Sequence, residues 1–362
     1  AEKLGIDPLD LRIMNGAKEG TMRPSGITNP KIGCIETAQA VKEHDHYTST
    51  IDGKYRGRGV ASGFWINGSG AACAIANVNF DGTVNLTIGS MDIGGLRPAA
   101  AQHVSEVLGI PVEDVSPQVG DTDTIGYTSM TGGSGAAFKT GWASYEAAQD
   151  VKRQLLQRAA EVWETGLDDI ELVKGVFRHS SDPELTMSFK ELASKLPDTG
   201  GPVVGRANLD PRGPGSAFAT HVVDVEVDPD TGKVTILDYT IVQDAGKAIH
   251  PSYVEGQMQG GSVQGIGWAL NEEYFMDNSG KMVNSTFLDY RMPLALDLPM
   301  IDTVIVEVAN PDHPFGVRGV GEVSIAPPLP AMANAIYNAT GIRMSRLPMT
   351  PQSVREKTST PG

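Results

Sequence analysis

The stretch Ala219–Gln243, ATHVVDVEVDPDTGKVTILDYTIVQ, decides the fold class. Val223, Val225 and Val227 alternate with Asp224, Glu226 and Asp228, the period-two pattern of a half-buried strand. Asp228-Pro229-Asp230-Thr231-Gly232 turns the chain, and Val234, Ile236 and Tyr239 carry it back. A second hairpin reads the same way over 71–90: Ala74, Ala76, Val78 and Phe80 alternate, Asp81-Gly82 turns, and Val84, Leu86 and Ile88 alternate again. Each hairpin is followed by a helix, a strand and another helix. After 71–90 come a helix at 98–108, a strand-like run to Gly120 and the longest helix, 135–164. In that helix Phe138, Trp142, Tyr145, Ala148, Val151, Leu155, Ala159 and Val162 step by three or four, with Lys139, Glu146, Asp150, Lys152 and Arg153 on its other faces. After 219–243 come a helix from Pro251, a strand at 302–309 and a helix at 327–340 that stops at Gly341. The chain reads as α+β: two similar lobes of β-hairpins and helices, without a repeat strong enough to establish duplication.

The expected boundaries are 1–50, a helix capped by Asp7-Pro8 plus a connecting segment, then a first lobe over 51–205 and a second over 206–362. The Pro/Gly-rich stretch 197–215 is the expected connector. Glycine (42) and proline (23) are abundant among the 362 residues, so much of the chain is expected to be loop serving a site. Lys+Arg is 29 against 44 Asp+Glu, a net charge of −15, and no basic cluster offsets it; this argues against nucleic acid. No apolar run of about 18 residues predicts a membrane span. Two cysteines, Cys34 and Cys73, are too few for a four-cysteine iron–sulfur or zinc site and argue against a disulfide framework. The first residue, Ala1, reads as the start of a processed, trimmed or fragmentary chain. His44-Asp45-His46 reads as a metal pair or, more simply, as a solvated loop before a strand.

Familiar catalytic motifs fail. GxSxG, a P-loop and HExxH are absent, and Gly265-Ile266-Gly267 lacks the third glycine of a dinucleotide fingerprint. What remains is glycine-rich. Asp92-Ile93-Gly94-Gly95-Leu96-Arg97 and Thr131-Gly132-Gly133-Ser134-Gly135 each precede a helix, where bare N–H groups form anion sites. Either could be an ordinary cap; two together point to a phosphate-bearing or otherwise anionic cofactor. Gly256–Gly267 places five glycines and three glutamines, Gln264 among them, within a helix, for a ligand or for a tight helix crossing. Phe315-Gly316-Val317-Arg318-Gly319-Val320-Gly321-Glu322 ends a glycine-rich loop on one carboxylate, with apolar residues after it. That suits a general base, and equally a first-turn glutamate favoured by the helix dipole.

Taken in order, AEKLGIDPLDLRIMN, TGGSGAAFKTGWASYEAAQD, QDAGKAIHP, EGQMQGGSVQGIG and GVRGVGEVSIAPPLPAMANAIYNATGIRMSRLPMTPQSV resemble the C-terminal half of the molybdenum-binding large subunit of the xanthine dehydrogenase/aldehyde oxidase family. The resemblance implies molybdenum held by a pterin dithiolene rather than directly by protein, with the cytosine dinucleotide form usual in bacterial members. It implies that Gln264 stands beside the pterin and that Gly132, Gly133 and Ser134 hydrogen-bond the cofactor, with Gly321 also in contact. It implies that Glu322 is the catalytic base of a hydroxylation using water-derived oxygen, on an aldehyde or a carbon next to a ring nitrogen, with molybdenum accepting the electron pair. The family's usual Gly-Gln-Gly is here Gly94-Gly95-Leu96, which leaves that contact to Arg97 or to main-chain N–H groups. The remaining half of the large subunit and the iron–sulfur and FAD subunits are expected as partners in a cytoplasmic complex. The split-subunit nicotinate dehydrogenase-like members are one precedent; a processed fragment is the other reading. The competing function is a non-catalytic structural half-subunit or degenerate paralogue that only completes the cofactor cleft.

Overall fold

The computed structural model describes residues 1–359. In chain order the elements are α1 (Pro8–Asn15), α2 (Cys34–Glu43), α3 (Asp45–Thr48), β1 (Arg56–Trp65), β2 (Ala72–Val78), β3 (Val84–Ile88) and α4 (Leu96–Leu108). Then come β4 (Val115–Val119), α5 (Ala136–Trp163), β5 (Ile170–Val173), β6 (Val176–His179), β7 (Thr186–Ser188), α6 (Phe189–Ser194) and β8 (Val204–Leu209). The last are β9 (Ala217–Val227), β10 (Val234–Asp244), α7 (Pro251–Leu270), β11 (Ile301–Val306), α8 (Pro328–Thr340) and α9 (Pro351–Ser359).

The chain forms two compact units. The first is built from Ala1–Ile66, Gly215–Asn310 and the chain from Val320 onward; the second from Asn67–Pro214 and Pro311–Gly319. In the first unit the sheet order is β1-β9-β10-β11, with β10 and β11 parallel and the other pairs antiparallel. Val223, Val225, Tyr239 and Ile241 face α7 and α8, burying Met258, Ile266, Met332 and Ile336. Val222 and Val242 face α1 and α2, against Leu9, Ala38 and Val41. The three-residue step from Ile236 to Tyr239 marks a β-bulge between Ile236 and Asp238, where one extra residue shifts the register.

The edge strand β1 lies directly under α8. A Cβ on Gly57 or Gly59 would overlap the main chain of Ala335 and Ala339 or of Ala331 and Ala335. Two outward carbonyls of this edge are bound by α8: Asn338 Nδ2 donates to Arg58 O (2.6 Å) and Asn334 Nδ2 to Val60 O (3.0 Å).

The second unit follows the same path. The hairpin β2–β3 leads through α4 to β4, which is parallel to β3, and then to α5. Its added strand β8 pairs antiparallel with β2, giving the order β4-β3-β2-β8. Leu86, Ile88, Val104, Leu108, Ala147, Val151 and Leu155 form its core. A small sheet β5-β6-β7 completes it. The α+β reading and the two similar lobes therefore hold at the level of topology.

The units do not follow the contiguous segments 1–50, 51–205 and 206–362. β1 pairs with β9, so 56–65 joins the first unit, and the return segment 311–319 joins the second. The Pro/Gly-rich 197–215 is more than a connector, because β8 inside it hydrogen-bonds to β2. His44 and His46 are neither a metal pair nor a solvated loop. His46 is buried, with Nδ1 at 2.8 Å from Thr240 Oγ1 and Nε2 at 3.3 Å from Asp224, while His44 pairs with Asp302 at 3.2 Å. Among the described residues no three His, Cys, Asp or Glu side chains gather to hold a metal, and no helix is long and apolar enough to cross a membrane.

Gly59→Val would drive a branched side chain into the α8 backbone and is expected to cost about 3 kcal/mol, the upper end of ordinary overpacking. Gly256→Ala, where an added Cβ meets nothing within 4 Å, should be neutral or mildly stabilising. Thermal unfolding of the two variants side by side checks the contrast; equal midpoints would contradict it.

Candidate functional site

In each unit the sequence motifs sit on connections leaving the C-terminal ends of the parallel strand pair, where open sheets collect ligands. In the second unit Ile88 of β3 is paired with Val119 of β4, so 89–95 and 120–135 leave the same end of the sheet. In the first unit Asp244 of β10 is paired with Val306 of β11, and the connections to α7 and toward Glu322 begin there.

The loop before α5 is shaped for backbone alone. Gly133 and Ser134 have φ of +63° and +58°, and Gly135 then turns to φ −91°, ψ −10° as the N-cap of α5, with no side-chain cap. Successive residues of opposite hand turn their N–H groups to one side, and the helix dipole adds partial positive charge there. Gly68 N donates to Gly133 O. A Cβ on Gly135 would stand 2.6 Å from Gly68 O, and one on Gly319 would overlap Ser134 O. Lys139, read from the sequence as part of a polar helix face, is buried. Its ammonium donates to Ser129 O (2.8 Å), Ser129 Oγ (2.6 Å) and Met130 O (2.8 Å), tying down the loop that ends in this turn. Burial pulls its pKa below the usual lysine range.

The loop before α4 differs. Gly94 and Gly95 are left-handed (φ +60° and +82°), but Asp92 already occupies the helix start. Its carboxylate accepts from Arg97 N (3.1 Å) and Arg97 Nε (2.7 Å). Burial pushes the Asp92 carboxyl up, and the Arg97 hydrogen bonds outweigh that and hold it below its usual value. The other glycine-rich helix start, 132–135, carries no carboxylate of its own.

In the first unit Glu322 is half-buried at the head of a short turn, 323–325. The glycines of α7 divide by face. A Cβ on Gly261 would overlap Ser324 Oγ, and one on Gly265 would overlap Ile325 O and stand 2.7 Å from Pro328, so these two admit the segment after Glu322. Gly256 and Gly260 meet nothing within 4 Å, and Gln264 is exposed on the same face. The close-packing reading of this segment therefore holds at Gly261 and Gly265, while the face of Gly256, Gly260 and Gln264 is bare. Gln243 of β10 is wholly buried and donates from Nε2 to Val320 O (2.9 Å), two residues before Glu322.

Sequence reasoning missed Lys139, Gln243 and a buried histidine pair in the second unit. His103 and His313 lie 5.6 Å apart, edge to face, among Phe138, Trp142 and Phe315. Burial pulls His103 down to about 4 and, with His103 beside it, His313 to about 3, so both are neutral rings there. A Gln at an inward strand position was the one available signal for Gln243; isolated histidines carry none.

Residues 33–299 match the family model for a molybdopterin cofactor-binding domain. The chain is 33% identical over 379 residues to the putative xanthine dehydrogenase molybdenum-binding subunit of Escherichia coli (strain K12), covering 99% of this chain and 50% of that protein. It is 30% identical to the nicotine 6-hydroxylase large subunit of Paenarthrobacter nicotinovorans, over 98% of this chain and 48% of that one. The crystal structure of quinoline 2-oxidoreductase from Pseudomonas putida 86 superposes with a TM-score of 0.87 at 26% identity, covering 99% of this chain and 50% of that one. The chain thus spans about half the length of the relatives it matches. It belongs to the molybdopterin cofactor-binding family, in agreement with the resemblance to the large subunits of molybdenum hydroxylases.

Gly133→Asp tests the cradle. Aspartate tolerates a left-handed φ, so the fold should survive. Its charge and side chain would enter the turn before α5, and bound pterin and molybdenum should fall by at least half; full cofactor content in a Gly133→Asp complex would remove the assignment.

Proposed function

We propose that the chain supplies the cofactor-binding and base-bearing half of a molybdenum hydroxylase large subunit. The reaction is oxidative hydroxylation of an aldehyde or an N-heteroaromatic carbon. The observation that carries this reading is the position of Glu322: a half-buried carboxylate at the head of a turn clamped by α7 and by β10, in a chain of this family.

The turn 132–134 fits a phosphate by its left-handed backbone and by the uncapped helix start that follows it. We assign Gly132, Gly133 and Ser134 to the phosphates of the cofactor, and a dinucleotide form such as the cytosine one supplies more of them. Gln264, exposed beside the bare backbone of Gly256 and Gly260, and Gly321 are assigned to the pterin side. Gly94, Gly95 and Arg97 contribute where Arg97 exchanges its pairing with Asp92 for the cofactor. When bound, the molybdenum-pterin activates water-derived oxygen and accepts an electron pair from the substrate. Glu322 accepts the proton released as the new carbon–oxygen bond forms, and its clamped loop holds the carboxylate in one direction.

The partners follow from what the first unit leaves uncovered. Between α7 and β11 the chain exposes Tyr274, Phe275, Met276, Leu294 and Met300, with Phe287, Leu288 and Leu296 at 93%, 89% and 99% exposure. An apolar surface of this kind is characteristic of an interface. We assign it to the other half of the large subunit, in a cytoplasmic complex whose iron–sulfur and FAD subunits carry electrons away.

Expressed alone, the chain should therefore aggregate or bind an apolar dye strongly. A soluble monomer melting cooperatively without dye binding would contradict the assigned interface. In the assembled complex, Glu322→Gln keeps the side chain's shape and removes the proton acceptor. Turnover per bound molybdenum should fall about 10²–10⁴-fold with molybdenum content unchanged. A loss below about tenfold would set the base role aside and favour a non-catalytic half-subunit.

A further inference from the structure

We propose that Gln243 is the positioning residue of the Glu322 loop, a role that rests on the proposed base function of Glu322. On β10, Tyr239, Ile241 and Gln243 share the face turned toward α7 and α8, and the first two are core residues. A glutamine there with no exposed surface departs from the apolar alternation of the strand. Its Nε2 donates to Val320 O at 2.9 Å, while its Oε1 has no partner among the described residues. The amide's orientation is set by that bond, because only its NH2 end can donate to a carbonyl.

Three contacts that restrain the loop in this unit differ in kind. Val323 packs on Ala217 and Ala219, and Ala219 is the register partner of Gln243. Ser324 fills the space left by Gly261. Both are packing contacts that resist displacement without setting a direction. The Gln243–Val320 bond is directional. It fixes the Val320 carbonyl and with it the peptide plane leading into Gly321, a residue with no side chain to hold it otherwise. The carboxylate of Glu322 begins one residue further on. Keeping a buried amide with an unpartnered oxygen costs stability relative to an apolar side chain at this strand position.

In the cofactor-loaded complex, Gln243→Leu removes the donor. Molybdenum content should stay normal, amide hydrogen exchange at Gly321–Val323 should quicken, and kcat should fall roughly 10- to 100-fold with KM little changed, the scale of an ångström of misplacement. Gln243→Glu gives a second reading and covers the case in which the leucine variant fails to fold. An ionised carboxylate repels Val320 O, and a protonated one donates to it. The ratio of variant to wild-type turnover should therefore rise as pH falls. The neighbours on this face do not titrate in the assay range: burial holds His221 down at about 3 and pushes Tyr239 well above its usual value.

Wild-type exchange and kcat in Gln243→Leu, or a pH-independent ratio in Gln243→Glu, would overturn the proposal. A purely structural glutamine would lower the melting temperature without either signature. Normal turnover of Glu322→Gln would instead remove the base reading, while the exchange measurement would still report whether Gln243 holds the loop.

Discussion

The close approach of α8 to β1 is the contact on which the first unit depends. The unit is assembled from three separated stretches of chain: β1 comes from the first, β9 and β10 from the second and α8 from the third. Gly57, Gly59 and Ala61 offer little apolar area, so transfer from water contributes little at this seam. Its strength is close packing of backbone on backbone, together with the amide bonds of Asn334 and Asn338 to two of the strand's outward carbonyls. The second unit repeats the device with different residues. A Cβ on Gly205 of β8 would overlap Ala147 O of α5, and Gln154 of α5 donates to Val204 O at 2.8 Å. A long helix fixed on a glycine-bearing edge strand is thus the common structural solution of both units.

That solution places the candidate site segments. The connection entering α5 holds 132–135, and the connection entering α8 holds Glu322. Each long helix is held along its length by a strand, so its N-terminal connection can leave regular structure, as the left-handed Gly133 and Ser134 do before α5, without loosening the fold. Rigid support beneath a strained loop is what a site requires when it must bind an anion or aim a carboxylate. Asp244 contributes to the same end. Buried at the close of β10, it accepts from Gly33 N (3.1 Å), Gly246 N (2.9 Å) and Val308 N (3.1 Å), joining the start of α2 to the two connections that leave the parallel pair. The motif QDAGKAIHP is therefore first a structural joint, and its glutamine is the donor to the Glu322 loop.

The hairpins and α5 were legible because burial on one face leaves a periodic trace, and that trace is local. β1 left little: in RGRGVASGFW the positions facing α8 are glycine and alanine, which suit the close helix rather than water exclusion, and Val60 alone is buried on the other face. β8 was hidden inside a Pro/Gly-rich stretch for the same reason, since Gly205 serves α5. The discontinuous units were out of reach because the pairing of β1 with β9 joins residues more than 150 positions apart. Lys139 shows its side-chain type in the sequence but not its acceptors, which come from the preceding loop. At the site, the glycine turns and Glu322 stood out by composition, whereas Gln243 is a single polar residue in an apolar alternation and becomes meaningful only once Val320 O is placed against it.

α7 shows why composition alone could not separate support from binding. Its glycines looked like one cluster, for a ligand or for a helix crossing. At about 100° per residue, Gly256, Gly260, Gln264 and Trp268 fall on one face, and Gly261 and Gly265 on another. The second pair lets Ser324, Ile325 and Pro328 come against the helix, so it serves the loop of Glu322. The first pair leaves backbone bare beside an exposed glutamine, which no packing requirement explains. A helix interior rich in glycine is costly, by about 1 kcal/mol for each. One helix bears that cost on two faces because it holds the carboxylate's loop on one and presents open backbone on the other. A substitution on either face therefore tests a different half of the proposed chemistry.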